Sequence, residues 1–411
     1  MSIIINTRLN DPHLDAQVSS SQRQLAIAVS VANQQASNIP LNLCLILDHS
    51  GSMEGKPLET VKQAAYQLVD KLQPGDRLSV VAFDHRAKVI VNNQIIDDQE
   101  SVKRKISQLR PSGGTAIDEG LRLAIDEINK GRKDCISQAL LLTDGENEHG
   151  NNDRCLKLAH LAAEYKITVN ALGFGHEWNQ DVLEKIADAG VGTLAHIQKP
   201  EDAIGEFARL FTRMQSVSLT NTYLLLTCSP QVRLAELKPI AQVAPDTIEL
   251  PVQREGEKYL VRLGDLMKDM QRVVLANLYI GQLPAGEQAI AQVQIRYDDP
   301  ALGKDSLLTE PVLVKGNMMS VYQPAIDPQV QQYIFALAKY RQTQIAETKL
   351  QQGDRVGAAT MLQTAAKTAL QMGDTNAATV LQTSATHLQA GQDLSEAEKK
   401  QTRIVSKTIL Q

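Results

Sequence analysis

The sequence predicts an α/β domain with a doubly wound, mostly parallel sheet, accompanied by an antiparallel β-sandwich and a C-terminal α-helical region. Three observations carry this prediction. Between residues 40 and 216, apolar strand-like runs alternate with helical-period segments across short connections, as parallel strands joined by crossover helices do. From about residue 217 the helical period vanishes, and short runs follow one another between Pro, Gly and Asp turns, as in a sandwich. Past Tyr322-Gln323-Pro324 the chain is rich in Ala and Gln and helical in pattern.

Each element of the α/β part has its own signal. LNLCLILD (41–48) is a continuous apolar run ending in a carboxylate, as expected of a strand buried on both faces. Leu58, Val61, Ala65, Leu68, Val69 and Leu72 then recur at helical spacing over 57–72, and PGD (74–76) ends the helix. RLSVVAF (77–83) and KVIV (88–91) are close enough to form a hairpin. A helix over 98–109, the GGT of 113–115 and a helix to about Lys130 follow. QALLLTD (138–144) is a second buried strand ending in Asp. The rest reads as a helix at 152–165, a strand at 167–175, a helix at 179–189, a strand at 192–197 and a helix at 201–216.

Outside this part, SIIINTRL and RQLAIAVSVAN at the N-terminus read as strands, and two strands cannot bury a core alone. Residues 1–38 are therefore assigned to one sandwich with 217–320, with the α/β domain (39–216) inserted between them. The alternative is a hairpin packed on the α/β sheet itself. In the helical tail, 321–411, AATMLQTA (358–365) recurs as AATVLQTS (377–384), and glycines at 353, 373 and 391 stand where the helices should stop.

Length and composition bound the rest. At 411 residues, two to four domains are expected. With 43% hydrophobic and 22% charged residues the chain is not a disordered one. A net charge of −5, from 42 basic and 47 acidic residues, supplies no global field for nucleic acid or anionic lipid. Aromatics are only 4%, with Trp178 as the single tryptophan, which argues against a base-stacking platform. The start lacks a basic n-region, no run of about 18 apolar residues occurs, and the four cysteines have no metal or disulfide-framework spacing. A cytoplasmic protein with buried free thiols, Cys44 among them, is the expectation.

The chemistry-bearing residues cluster where strands end. Asp48-His49-Ser50-Gly51-Ser52-Met53 offers one carboxylate and two hydroxyls at every second position, so a tight loop can aim Asp48, Ser50 and Ser52 at one centre. Thr115 adds a hydroxyl behind two glycines, and Asp144 stands at the end of the second buried strand. In a doubly wound sheet the ligand crevice lies beyond the carboxyl ends of the strands where strand order reverses. Two carboxylates and three hydroxyls, without sulfur or imidazole, suit a small hard cation: magnesium first, manganese second, calcium less well.

Residues 40–216 resemble a von Willebrand factor type A (vWA) domain, and DHSGS, GGT and TDG resemble its metal-ion-dependent adhesion site, the MIDAS. The family pattern of Asp-x-Ser-x-Ser, a Thr and an Asp maps onto Asp48, Ser50, Ser52, Thr115 and Asp144. The resemblance implies that Ser50, Ser52 and Thr115 ligate the metal directly, that one or both aspartates act partly through water, and that a partner protein's Asp or Glu can complete the shell. The whole chain is also similar to bacterial vWA proteins with an accompanying sandwich, whose Gly-Asp-Leu stretch corresponds to LGDLMKDMQRVVLANLYI (263–280).

Competing readings are weaker. His49 beside Ser50 could suggest a hydrolase, but Gly-x-Ser-x-Gly is absent and adjacent residues of an extended chain point apart. SGGT lacks the P-loop pattern and HEW is not HExxH. Glu146, His149, His176 and Glu177 are candidates for a partner-contact rim. Asp84-His85-Arg86 reads as a simple polar turn, and Lys103-Arg104-Lys105 as a solvated helix face. The function expected is a non-enzymatic, metal-dependent protein-binding module, with self-association through the C-terminal helices as a further role. The alternatives are an adaptor for a separate AAA-type ATPase or metal-insertion machine and, weakest, a metal-dependent hydrolase.

Overall fold

The computed structural model describes residues 2–32, 39–174, 178–197 and 203–407, with only the backbone at 203 and 204. Alternating apolar and polar residues give the N-terminal strands β1 (Ile3–Leu9), β2 (His13–Asp15) and β3 (Ser20–Val31). The α/β unit then runs β4 (Leu41–Asp48), α1 (Lys56–Lys71), β5 (Arg77–Phe83), β6 (Ala87–Ile95), α2 (Gln99–Ser107), α3 (Ile117–Asn129), β7 (Ile136–Thr143), α4 (Asn152–Glu164), β8 (Ile167–Phe174), α5 (Gln180–Ala189), β9 (Val191–Ile197) and α6 (Ala203–Gln215). Its sheet has the order β6-β5-β4-β7-β8-β9 and is parallel except for β6, which forms a hairpin with β5. The expected hairpin strand at 88–91 extends to Ile95, because Asn93 is held by Arg77 Nε (2.8 Å) and by the carboxylate of Glu127 (2.9 Å).

β4 is buried at all eight residues, and its pleat divides them between two cores. Leu43, Leu45 and Leu47 pack with Val61 and Leu68 of α1, Val102 of α2 and Phe207 and Phe211 of α6. Cys44 and Ile46 face Leu121 and Ile125 of α3, Ala159 of α4 and Leu183 of α5. A strand with helices on both sides must be apolar on both faces, so the run 41–47 has no polar alternation except Asn42. Asn42 donates to the Ile128 carbonyl (2.9 Å) and accepts from Asn93 (2.7 Å), which keeps it satisfied where it is buried. Each leucine buried here stabilises the fold by about 1.5–3 kcal/mol.

The remaining strands are β10 (Val217–Cys228), β11 (Val232–Leu234), β12 (Ile240–Ala244), β13 (Ile248–Glu249), β14 (Val252–Glu255), β15 (Lys258–Met267), β16 (Arg272–Gly281), β17 (Gly286–Asp299), β18 (Lys304–Leu308) and β19 (Val312–Met319). They form two facing sheets. One has the order β1-β3-β16-β12-β13 with β11 on β16, and the other β14-β15-β10-β17-β19-β2 with β18 on β17. The N-terminal segment thus enters both sheets, β3 pairing with β16 and β2 lying parallel to β19. Leu25, Ile27 and Val29 interleave with Leu224, Leu226, Val293 and Ile295 between the sheets.

The Gly-Asp-Leu stretch joins the sandwich to the α/β unit. Gly264, at φ 80°, brings the backbone of β15 against Val191. The buried carboxylate of Asp265 accepts hydrogen bonds from Gln138 of β7 (2.8 Å) and Thr168 of β8 (2.7 Å). Arg272, half-buried, donates to the Asp265 carbonyl at 2.9 Å.

The tail consists of α7 (Pro328–Gln351), α8 (Arg355–Gln371), α9 (Thr375–Gln389) and α10 (Glu396–Lys407). Val330, Tyr333, Ile334 and Leu337 root α7 on Ala26, Val243, Val273 and Leu275 of the sandwich. Alanines at 358, 359, 365, 366, 377, 378 and 385 let α8 and α9 approach closely around Leu362 and Leu381. The Gly-Asp pairs act in two directions. Gly353 adopts φ 80°, its N–H bonds to Leu350 O (3.0 Å), and Asp354 N–H reaches back to Lys349 O (2.8 Å), which closes α7. The Asp354 carboxylate then accepts from Gly357 N–H (2.8 Å) and starts α8. Gly373 and Asp374 repeat the arrangement between α8 and α9. Among the described residues no helix is long and apolar enough to cross a membrane.

Candidate functional site

The strand order reverses at β4, which has β5 on one side and β7 on the other, so a crevice opens beyond the carboxyl ends of β4 and β7. Asp48 ends β4 and Asp144 follows β7. After Asp48 the chain turns into a short 3₁₀ segment, Gly51–Met53, that precedes α1. The Asp48 carboxylate accepts from Ser50 N–H at 2.8 Å, which tightens that loop, and Ser50 Oγ and Ser52 Oγ lie 3.0 Å apart. Ser52 Oγ donates to Asp144 at 2.7 Å.

Thr115 enters from a third loop, between α2 and α3. A Cβ placed on Gly145 would lie 3.2 Å from Thr115 Oγ1 and 3.5 Å from Ser52 Oγ, so both hydroxyls close on the same glycine. The five residues named from the sequence therefore stand in one group. Hydrogen bonds between main chains fix the loops to each other: Gly51 N–H to Gly113 O (3.0 Å), Ser112 N–H to His49 O (2.9 Å) and His149 N–H to Thr115 O (2.9 Å).

Three contributors were not among the sequence candidates. Thr143, fully buried, donates to the second oxygen of Asp48 at 2.5 Å and accepts from Gly145 N–H at 3.2 Å. Its signals were a lone hydroxyl at the end of the apolar run QALLLT and its place as the first residue of the TDG triplet. Gly145 gives room for the close approach just described, and the TDG triplet carried it. Asp84 overturns the expectation of a simple polar turn: it is buried and accepts from Ser112 Oγ (2.7 Å) and Arg86 N–H (2.8 Å). Its carbonyl accepts from Ala116 N–H (2.8 Å), so it holds both ends of the Thr115 loop.

Burial pushes the Asp48 carboxyl up to about 6, against the hydrogen bonds of Thr143 and Ser50, and the nearby Asp144 adds to the rise. The two buried carboxylates thus share the site with the buried hydroxyls of Ser50, Thr115 and Thr143 and with Ser52 at its exposed rim. His49 Nδ1 is 3.0 Å from the Arg110 carbonyl, so the ring is engaged away from Ser50. The His85 and His149 rings lie against Gly113 and Gly114, where a Cβ would collide with either ring at 2.1 Å. Glu146 and His149 are exposed at the edge of the group, whereas His176 and Glu177 lie outside the described residues. Among the described residues no three His, Cys, Asp or Glu side chains are grouped so as to hold a metal ion by themselves; the donors here are mainly hydroxyls.

Residues 42–209 match the family model of the von Willebrand factor type A domain, and residues 328–411 match that of the Sll0103-like C-terminal alpha-helical domain. The chain is 58% identical over 412 residues to the uncharacterized protein sll0103 of Synechocystis sp., covering 100% of this chain and 98% of that one. Inter-alpha-trypsin inhibitor heavy chain H2 of Mus musculus is 27% identical over 198 residues, 44% of this chain and 20% of that protein. The chain thus spans about a fifth of that relative's length. A von Willebrand factor type A protein from Catenulispora acidiphila superposes with a TM-score of 0.82 at 19% identity, over 99% of this chain and 97% of that one. The ArnB paralog VWA2 from Sulfolobus acidocaldarius superposes with 0.59 at 14% identity over 99% of both. These two likenesses are likenesses of fold.

Proposed function

The chain belongs to the family of von Willebrand factor type A proteins that includes sll0103, and on that premise we propose that it is a cation-dependent protein-binding module. A vWA domain is in general a protein–protein interaction module. In the proposed reading Ser50, Ser52 and Thr115 hold a divalent cation with Asp48 and Asp144, magnesium suiting the donors best and manganese or calcium less well. The cation supplies a positive centre to which an Asp or Glu of a protein partner binds.

The observation that carries this reading is the junction of three loops at Gly145, where the Ser50–Ser52–Asp144 hydrogen-bond series meets Thr115. The donor set fits a hard cation. All its atoms are oxygen, and two buried carboxylates repel each other unless a cation or protons intervene. The chain's own residues do the positioning: Thr143 and Ser50 N–H orient Asp48, and Gly51 N–H ties the first loop to the Thr115 loop. The engagement of His49 with the Arg110 carbonyl supports a binding rather than a hydrolytic role.

Titration calorimetry with magnesium, followed by a pull-down from cytosol with and without the metal, tests the proposal. Magnesium binding lost in Asp48→Ala, together with partner capture abolished by EDTA, is the expected result. Capture that survives both treatments refutes it. An adaptor role beside a separate ATPase would use the same site, and the identity of the captured protein distinguishes it.

A further inference from the structure

Helix α10 carries Lys400, Arg403 and Lys407 at spacings of three and four, one face of a helix. Helix α5 of the vWA domain, with Trp178 just before it, carries Asp181, Glu184 and Asp188 at the same spacings. The two rows meet in register. Lys400 Nζ donates to the Trp178 carbonyl at 2.9 Å and stands 4.3 Å over the indole ring. Arg403 pairs with Asp181 and lies 3.7 Å from Glu184. Lys407 Nζ lies 2.5 Å from Glu184 and 3.6 Å from Asp188. Parallel helices with both rows ascending together produce this ladder.

The same helix is held from two more sides. Arg403 Nε bonds Glu347 of α7 at 2.7 Å, and the Lys407 carbonyl accepts from Thr247 N–H of the sandwich at 3.0 Å. The Arg403 and Lys407 side chains are 17% and 19% exposed, so the ion pairs lie at a partly dry junction and are screened only when solvent enters. Trp178 packs on Gly173, next to the last residue of β8, at the sheet end that bears Asp48 and Asp144. Lys400 lies within electrostatic reach of Glu146, two residues past Asp144.

We propose that the C-terminal helical domain is a salt-labile clamp: α7 roots it on the sandwich, and the cation row of α10 fastens its far end to the carboxylate row of α5, fixing the orientation of the vWA domain. Release of the clamp uncovers Trp178 and the acidic face of α5 beside the candidate site. This inference does not depend on the metal reading, and its readouts involve neither metal nor partner.

The test uses the full chain, in which all tryptophan fluorescence comes from Trp178. Amide hydrogen exchange of α10 and acrylamide quenching are followed as sodium chloride rises from about 0.05 to about 1 M, where the screening length falls to roughly 3 Å. The expected result is about tenfold faster exchange in α10 and stronger quenching at high salt, with α8 and α9 still protected. The Asp181→Asn/Glu184→Gln/Asp188→Asn variant should exchange rapidly at every salt concentration and lose the salt dependence. Exchange and quenching that ignore salt in the unaltered chain overturn the proposal, even if the triple variant fails to fold. A folded triple variant that keeps the parental protection of α10 overturns it equally.

Discussion

Replacing Thr143 with Val tests whether the hydrogen bonds beneath the site, rather than packing, hold Asp48 in place. Val has nearly the shape of Thr, so volume is conserved while two bonds disappear. The first is the donation to the Asp48 carboxylate at 2.5 Å, a bond to a charged group of a kind that contributes about 1.5–3 kcal/mol. The second is the acceptance from Gly145 N–H, which is long at 3.2 Å; leaving that buried amide unpaired costs about 1 kcal/mol, the low end of the usual range. The sum is about 2.5–4 kcal/mol, because Thr143 is fully buried and water does not replace either partner. For a domain of this size about 1 kcal/mol corresponds to roughly 2–4 °C, so the vWA transition should fall by roughly 5–16 °C. Thermal unfolding followed by circular dichroism in EDTA measures it without any contribution from bound metal. Thr143→Ser retains the hydroxyl and should recover most of the loss. The reasoning fails if Thr143→Val melts with the parent, or if Thr143→Ser melts as low as Thr143→Val.

Three further outcomes are expected. Gly145→Ala places a methyl 3.2 Å from Thr115 Oγ1 and 3.5 Å from Ser52 Oγ and should weaken magnesium binding about tenfold by calorimetry without altering charge; parental affinity would mean that these hydroxyls do not share an ion. Asp374→Ala removes the cap of α9 and the 2.9 Å partner of the fully buried Lys339 ammonium, so the tail should lose about 3–5 kcal/mol in urea unfolding. An unchanged midpoint would show that Lys339 is held by its other contacts. At Asp11 burial pushes the carboxyl up, but bonds from Tyr322 O–H (2.6 Å), His13 N–H (2.9 Å) and Ala325 N–H (3.2 Å), with Arg23 nearby, outweigh it and hold it below its ordinary 3.8. A carboxyl held down in the fold stabilises it fully above about pH 4 and loses that contribution as the pH falls through its folded value. Acid unfolding of Asp11→Asn should therefore be flatter below pH 4 than that of the parent, and parallel curves would exclude Asp11 as a source of acid sensitivity.

The fold class was legible because burial on two faces writes itself as an unbroken apolar run. LNLCLILD and QALLLT could belong only to central strands, and a carboxylate ending or following each run identified the end of the sheet that carries chemistry. The glycine punctuation of the tail, at 353, 373 and 391, was equally readable, since positive φ favours glycine. What escaped were pairings across large sequence distances. Nothing at position 84 announces that Asp84 will bond Ser112, and a turn residue is polar whether or not it reaches another loop. Asp265 lay within a recognisable stretch, but its bonds to Gln138 and Thr168 depend on how two units are docked. The matching rows of α10 and α5 are about 220 residues apart, and each alone reads as an ordinary charged helix face.

The composition of the site has a physical logic that a denser carboxylate cluster would lack. A third carboxylate beside Asp48 and Asp144 would add to a repulsion that already raises Asp48, and the loops would be driven apart whenever no cation was bound. Hydroxyls avoid this because each is both donor and acceptor. Ser50 and Ser52 satisfy one another at 3.0 Å, and Ser52 satisfies Asp144 at 2.7 Å, so neutral hydroxyls tie the loop after β4 to the loop after β7. On the proposed reading the same oxygens can turn their lone pairs to a cation while their protons remain available to the carboxylates. Only two negative charges then face a divalent ion, and those of Asp48 are already engaged by Thr143 and by the Ser50 amide. Such a centre keeps an attraction for a further carboxylate, which a site with three or four acidic ligands would have extinguished. The scarcity of acidic ligands is therefore what would make this a site for a protein partner rather than a store for metal.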